Sequence, residues 1–438
     1  MIFGKTIPEA FYNTYKKNPA AEAYFSKKNG QWISLRFDEA FQFLLKALAG
    51  LKRLQFSPGQ KIAILAENRY EWVLTDYAAQ WMGGAVAAIY VTSSADQIKY
   101  ILNESEATVL FVSKTVPLER LSELEGLTSL KTIVGFDESL PFKPPANVEV
   151  VSKSQFYGEA MSETEALQLL SKLTPEVMNI LLYTSGTTGE PKGVMLTHAN
   201  VMSNLEMFHK VIPLELGLTT VSFLPLSHIY ERVVHAYFLF SGVKIWFAES
   251  VDKLIENLSE ARPEVMSCVP RIFEKMYARI QEKIKGAPFF RKKLFFGAIA
   301  LGDRTAKMRL ENRPLPLWWR VPFFLADQIV FKTIRAITGG RARLFISGGA
   351  PLSQEIAEFF FHVGFTIIEG YGLSETCILS VNRPGKLKFG TVGTPFEGID
   401  LKIAEDGEIL IKGRGIMRGY HNKPEETAEA FAGGWFHS

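Results

Sequence analysis

Along the first third of the chain, short unbroken apolar runs alternate with stretches whose apolar residues recur every three or four positions. KIAILA (61–66), AVAAIYV (85–91), TVLFV (108–112) and KTIVGF (131–136) have the length and composition of buried strands. EWVLTDYAAQWM, SADQIKYILNES and PLERLSELEG lie between them with helical spacing. A strand–helix–strand rhythm predicts parallel sheets with helices on their faces, because parallel neighbours need a long crossover. Pro141, Pro144 and Pro145 mark a loop, after which VMNILLYT (177–184), TTVSFLPL, VKIWFA, EVMSCV and ARLFIS read as further strands. ERVVHAYFLF and PRIFEKMYARIQEKI are the helices among them. From Gly390 onward the pattern turns to strand and turn, and LKIAEDGEILIKG predicts a hairpin about Asp406-Gly407. The expected architecture is α/β, with two helix-flanked, mainly parallel sheets (1–175 and 176–388) and a β-rich end piece (389–438).

Composition excludes some classes. With 47% hydrophobic and 22% charged residues, the 438-residue chain can bury a large core, so disordered and fibrous readings fall away. The start, MIFGKTIPEAF, predicts no secretory signal. The best apolar run, 235–248, carries Lys244 and is too short for a bilayer span, which needs about 20 residues. Cys268 and Cys377 make no disulfide framework and no metal-ligand spacing, so a reducing, cytoplasmic setting is expected. A net charge of +3 gives no reason to expect nucleic acid. Charge is uneven, however: 288–335 holds ten Lys or Arg against three acidic residues. PFFRKKLFF and LPLWWRVPFFL there set aromatics beside cations. That suits peripheral contact with an anionic membrane, or else a helical pair packed by its apolar side.

The densest chemistry is Tyr183-Thr184-Ser185-Gly186-Thr187-Thr188-Gly189-Glu190-Pro191-Lys192-Gly193, directly after an apolar strand. Glycines let backbone N–H groups turn toward an anion, hydroxyls donate further bonds, and Lys192 adds a point charge. A P-loop is excluded because Pro191 stands where that motif needs a glycine, and proline has no N–H to give a phosphate. In Glu369-Gly370-Tyr371-Gly372-Leu373-Ser374-Glu375, an aromatic between two glycines can lie flat on a purine. Glu375 stands where a divalent cation on phosphates would need an oxygen. A Gly-rich turn with an exposed glutamate is the plainer reading. Gly348-Gly349-Ala350-Pro351 could follow a nucleotide by close backbone approach.

YTSGTTGEPKGV, LPLSHIYER (224–232), SGGAPL (347–352), EGYGLSET (369–376) and GEILIKGRGIMRGYHNKPEET (407–427) occur in the order seen in adenylate-forming enzymes. The chain resembles the acyl-CoA synthetases, most closely the long-chain fatty-acid–CoA ligases, and with them the large-domain fold of acyl-adenylate synthetases. The resemblance implies ATP, Mg²⁺ and coenzyme A as reactants, and a fatty-acid carboxylate attacking the α-phosphorus of ATP. It implies that Thr184, Ser185, Gly186, Thr187, Thr188, Gly189 and Lys192 hold the β- and γ-phosphates, with Thr184 and Glu375 on Mg²⁺. Gly349, Ala350 and Pro351 with Glu369, Gly370, Tyr371 and Gly372 would line the adenine pocket, and Ser374 would contact the α-phosphate. His228 would meet the carboxylate, although a neutral histidine bonded in the core is an equal reading of that residue alone. Thr184, Lys192, His228 and Glu375 are thus the candidate catalytic residues. The physics agrees, since in-line phosphoryl chemistry needs positioning and charge neutralisation, and no nucleophile–base pair is evident.

In the family the pattern continues after GGWFH with Thr or Ser and Gly-Asp, then a hinge and a small C-terminal domain bearing the adenylation lysine. Ser438 falls on the first position of that motif. The expectation is that the C-terminal domain is absent here, that the acyl tunnel and much of the ATP site remain, and that turnover is impaired. An adenylating enzyme for another carboxylic acid and a non-catalytic nucleotide- or acyl-binding module are the alternatives.

Overall fold

A computed structural model describes residues 3–184 and 190–438. Strands whose residues are apolar on both faces have no side to offer water, so they sit between layers. Lys61–Leu65, Ala85–Ala88, Val109–Val112 and Thr132–Gly135 do this at the centre of an eight-stranded sheet. Its order is Gly419–Tyr420, Lys192–Thr197, Met178–Thr184, Ala85–Ala88, Lys61–Leu65, Val109–Val112, Thr132–Gly135, Glu149–Val151. Pairing is parallel from Met178–Thr184 to Glu149–Val151 and antiparallel at the other edge. Alternation still sorts the side chains: Ile62, Val86, Phe111 and Val134 enter the main core, and Ala63, Ala87, Leu110 and Ile133 a second core on the other face. The helix Ala95–Glu104 covers that second face. It begins with a capping box in which Ser94 Oγ accepts from the Gln97 N–H and the Gln97 side chain accepts in return.

Three further sheets complete the described residues. Val265–Cys268, Leu344–Ser347 and Thr366–Leu373 run parallel and continue antiparallel into Cys377–Val381 and Thr394–Pro395. Thr219–Ser222 and Lys244–Phe247 pair with an N-terminal hairpin, Glu22–Lys28 and Gln31–Arg36. Ile399–Ile403 and Ile409–Gly413 form the hairpin expected about Asp406-Gly407, and Phe436–His437 adds a third strand. The α/β class with helix-flanked, mainly parallel sheets is therefore present, spread over four sheets.

Some elements depart from the pattern reading. PLERLSELEG keeps only one helical turn, Glu119–Ser122, before Gly126 takes φ +67°. The end piece contains a helix, Pro424–Ala430, begun by a proline and two glutamates in its first turn. The EGYGL stretch, read from its glycines as a turn, belongs instead to the strand Thr366–Leu373.

The helix Tyr70–Trp81 is buried along nearly its whole length and carries Asp76 into the interior. Arg232 donates from Nε to Asp76 Oδ2 at 3.2 Å and through a second nitrogen to Oδ1, while Gln80 donates to Oδ1 at 2.8 Å. The guanidinium also lies 5.1 Å from the Trp72 ring centroid. Removing one member of a buried pair strands the other charge. Asp76→Ala should lower the unfolding free energy by roughly 3–5 kcal/mol in urea denaturation. A loss below about 1 kcal/mol would show that the guanidinium finds another partner.

Candidate active site

Leu344–Ser347 and Thr366–Leu373 run side by side, with Ser347 opposite Glu369. Beyond Ser347 the chain turns through Gly348 and Gly349. A side chain on Gly348 would press into the Tyr230 ring at 3.0 Å, and Gly349 takes φ +83°, which favours glycine. Glu369 is buried and its Oε2 accepts from the Leu352 N–H at 3.3 Å, so it holds this loop against the strand. Burial raises its pKa. Gly349 lines a cavity, whereas Ala350 and Pro351 face solvent.

Tyr371 stands between Gly370 and Gly372 at a register shift against Cys377–Val381. Gly372 is obligatory, because a Cβ there would collide with the Cys377 carbonyl oxygen. A shift of this kind re-aims the side chain beside it. Gly370, Tyr371, Gly372 and Ser374 line a cavity of about 210 Å³ with Phe208, Ile229, Tyr230, Ile346, Ile378 and Val381. That wall carries no carboxylate. A second cavity, about 400 Å³, is lined by Thr184, Pro191, Tyr183, Tyr90, Thr92 and Ser93. His228 and Ser374 belong to both.

His228 caps the helix Ile229–Phe240, its Nδ1 accepting from the Tyr230 N–H at 3.3 Å. That bond leaves the proton of the neutral ring on Nε2. Burial lowers its pKa, so the ring is neutral near pH 7. Tyr230 fixes the same turn by donating its hydroxyl to the Ile346 carbonyl at 2.7 Å.

Thr184 and Lys192 are register partners at the two roots of the Gly-rich loop. Ser185, Gly186, Thr187, Thr188 and Gly189 lie outside the described residues. The Lys192 ammonium is 5.1 Å from the Tyr420 ring centroid, and Tyr420 donates its hydroxyl to Glu375 Oε1 at 3.1 Å. Burial and the nearby Glu375 carboxylate raise the Tyr420 pKa. Glu375 is held further by its carbonyl, which accepts from the Met417 N–H at 2.6 Å. Lys192 and Glu375 are therefore joined through a tyrosine that pattern reading left without a role, although it lies in the quoted RGYHNKP stretch. Beneath them, Glu104 accepts from the Tyr183 hydroxyl and meets His421 Nδ1 at 2.9 Å, and the His421 N–H donates to the Gly193 carbonyl at 2.7 Å. No local signal marks Glu104, which is 317 residues from His421.

The segment carrying His228 hangs on a buried chain of polar groups. Asn68 donates to Ser222 Oγ at 3.0 Å and to the Leu224 carbonyl at 2.6 Å, and accepts from the Leu226 N–H at 3.0 Å. Ser222 and Ser267 bond the two carboxyl oxygens of Glu231 at 3.0 and 2.7 Å.

The α/β fold, with its helix-flanked, mainly parallel sheets, is that of the adenylate-forming enzymes. The chain matches the model of the AMP-binding enzymes over residues 11–421, and it belongs to that family. It is 33% identical over 414 residues to the long-chain-fatty-acid–CoA ligase FadD15 of Mycobacterium bovis, covering 93% of this chain and 67% of that protein. In fold it is similar to the N-terminal domain of FACL13 from Mycobacterium tuberculosis, with TM-score 0.70, 18% identity and coverage of 99% of this chain and 96% of that one. It is likewise similar to the anthranilate CoA ligase AuaEII in complex with anthranoyl-AMP, with TM-score 0.72, 18% identity and coverage of 99% and 73%.

Burial pushes the Glu231 carboxyl from its usual 4.5 up to about 8. Between those values the folded protein keeps a proton that the unfolded chain has released, so this group's contribution to stability falls as pH rises through that window. Glu231→Gln can serve both hydroxyls without titrating. Its unfolding free energy should gain on the parent's between about pH 5 and about pH 8 in urea denaturation. Parallel pH profiles would contradict this assignment.

Proposed function

We propose that this chain carries the site at which a long-chain fatty acid is activated, at the junction of the two cavities. The acid's carboxylate oxygen forms a bond to the α-phosphorus of ATP as the bond to pyrophosphate breaks, leaving an acyl-adenylate. The thiol of coenzyme A then takes the acyl group and AMP departs. The observation that carries this reading is that His228 and Ser374 line both cavities, one largely apolar and one at the roots of the Gly-rich loop.

Each side chain then has a task suited to its surroundings. His228, neutral with its proton on Nε2, donates to the carboxylate and takes no proton from it. Ser374 faces the α-phosphate. Gly349, Ala350 and Pro351 with Gly370, Tyr371 and Gly372 border the purine, and Glu369 positions that border through Leu352. The buried Ser347 hydroxyl beside this border has no hydrogen-bond partner among the described residues, as suits a polar ligand there. Lys192 and the 184–189 hydroxyls and glycines meet the β- and γ-phosphates, an assignment that for 185–189 stands on the resemblance to the family.

Thr184 and Glu375 supply two oxygens, a donor set that fits Mg²⁺ arriving with phosphate and water oxygens on its remaining positions. When bound, that ion neutralises charge on the phosphates. Tyr420 holds the Glu375 carboxylate in place for it. A long apolar tail is supported by the 33% identity to a long-chain-fatty-acid–CoA ligase.

Acid-dependent ATP–pyrophosphate exchange across acetate, octanoate, palmitate and phenylalanine tests the reading. Exchange should follow palmitate, and Glu375→Gln or Lys192→Ala should lower it by about 10²-fold with the fold intact by circular dichroism. Exchange with phenylalanine or acetate in palmitate's place would move the substrate. Absence of exchange across the panel would leave a non-catalytic nucleotide- or acyl-binding module.

A further inference from the structure

We infer that the helical hairpin 289–331 docks this protein on an anionic lipid bilayer, with a lipid acyl chain lying in the groove between its helices. This goes beyond the adenylation reading and does not rest on it. The helices are Phe289–Leu310 and Leu317–Ala326, followed by a π-helical turn, Asp327–Phe331. The second, LWWRVPFFLA, has nine apolar residues in ten, yet none is buried. Of eighteen large apolar side chains exposed among the described residues, ten fall in this hairpin, so it is a patch and not the usual scatter. Phe289 at 81% and Trp318 at 74% exposure are its most open aromatics.

The inner side of the hairpin is firmly attached. Phe295, Ala298 and Gly302 are buried, with Gly302 against His362. Arg309 lies 4.6 Å from the Phe361 ring centroid and 5.2 Å from that of Phe323, and donates to the His362 carbonyl at 3.3 Å. The outer residues are thus presented on a fixed support. Between the helices runs a groove of about 570 Å³, floored by Gly297 and Ala298 and walled by Leu294, Leu301, Leu325 and Ile329. A side chain on Gly297 would meet nothing within 4 Å, so glycine keeps the groove open.

Charge selects the occupant. Two of the three local carboxylates are already engaged, Asp327 with Arg335 at 2.7 Å and Glu311 with Arg313, and the third, Asp303, is exposed. Among the described residues Arg291, Lys292, Lys293, Arg304, Lys307 and Lys332 make no ion pair. Two copies meeting by this face would bring those cations together, whereas an anionic interface neutralises them while aromatic rings enter its headgroup layer.

Co-sedimentation with phosphatidylcholine vesicles, with and without phosphatidylglycerol, tests this in the whole chain. The protein should pellet with the phosphatidylglycerol-containing vesicles, stay largely in solution with phosphatidylcholine alone, and be released by salt. Trp318→Ser with Phe324→Ser, which removes no core contact, should cut the bound fraction at least about tenfold. Arg291→Glu with Lys293→Glu should do the same. Recovery in solution with both vesicle types, or unchanged binding by both double variants, would overturn the proposal. So would a solution dimer that Trp318→Ser dissociates, since the face would then be a self-association surface.

Discussion

Glu231 is buried, and its oxygens reach Ser222 and Ser267, the first ending a strand of the four-stranded sheet and the second lying within the five-stranded one. Asn68, just past the strand Lys61–Leu65, joins through Ser222 and adds the eight-stranded sheet. One carboxyl therefore ties three sheets at the point where the chain enters the helix Ile229–Phe240. Leaving any member without its partner would bury an unsatisfied group, a cost of about 1–3 kcal/mol, so the network behaves as a unit. Because Glu231 lies one turn beyond His228, the same network decides where the imidazole stands between the cavities. Arg232 secures the next position of that turn to Asp76.

A comparable logic runs at the phosphate side. Tyr183 and Gly193 flank the Gly-rich loop by one residue on either side of Thr184 and Lys192, and both lead back to Glu104, one by side chain and one through His421. Tyr420, the neighbour of His421, carries the Lys192 ammonium on its ring and Glu375 on its hydroxyl. Loop roots and the carboxylate proposed for Mg²⁺ are thereby set by one antiparallel edge, where Gly419–Tyr420 pairs with Val194 and Met195. A short strand late in the chain completes a site begun more than two hundred residues earlier.

Strand runs buried on both faces were legible from their apolar composition, and the parallel order followed from the helices between them. The N-terminal hairpin was not, because Glu22–Arg36 is half-exposed and breaks the apolar-run pattern. Its signal was Asn29-Gly30, both of which take positive φ, as a tight hairpin turn requires. The glycine-rich motifs marked the candidate site, since loops that approach a ligand closely are written in small residues. What motifs could not show is which polar groups meet: Glu231 with two serines, Glu104 with Tyr183 and His421, and Lys192 with Glu375 through Tyr420. Those encounters depend on packing between segments distant in the chain. The aromatic-rich basic stretch at 288–335 was ambiguous by composition, and only the burial of its side chains distinguishes an outward apolar face from an inward one.

The central claim is that the two cavities meeting at His228 and Ser374 are halves of one site. Calorimetric titration with a hydrolysis-resistant palmitoyl-adenylate analogue, followed by AMP and by palmitate as competitors, tests this most directly. One equivalent of the analogue should bind more tightly than either fragment, and its presence should exclude both AMP and palmitate. Palmitate binding that persists unchanged while the analogue displaces AMP would show that the cavities are separate, and would contradict the account.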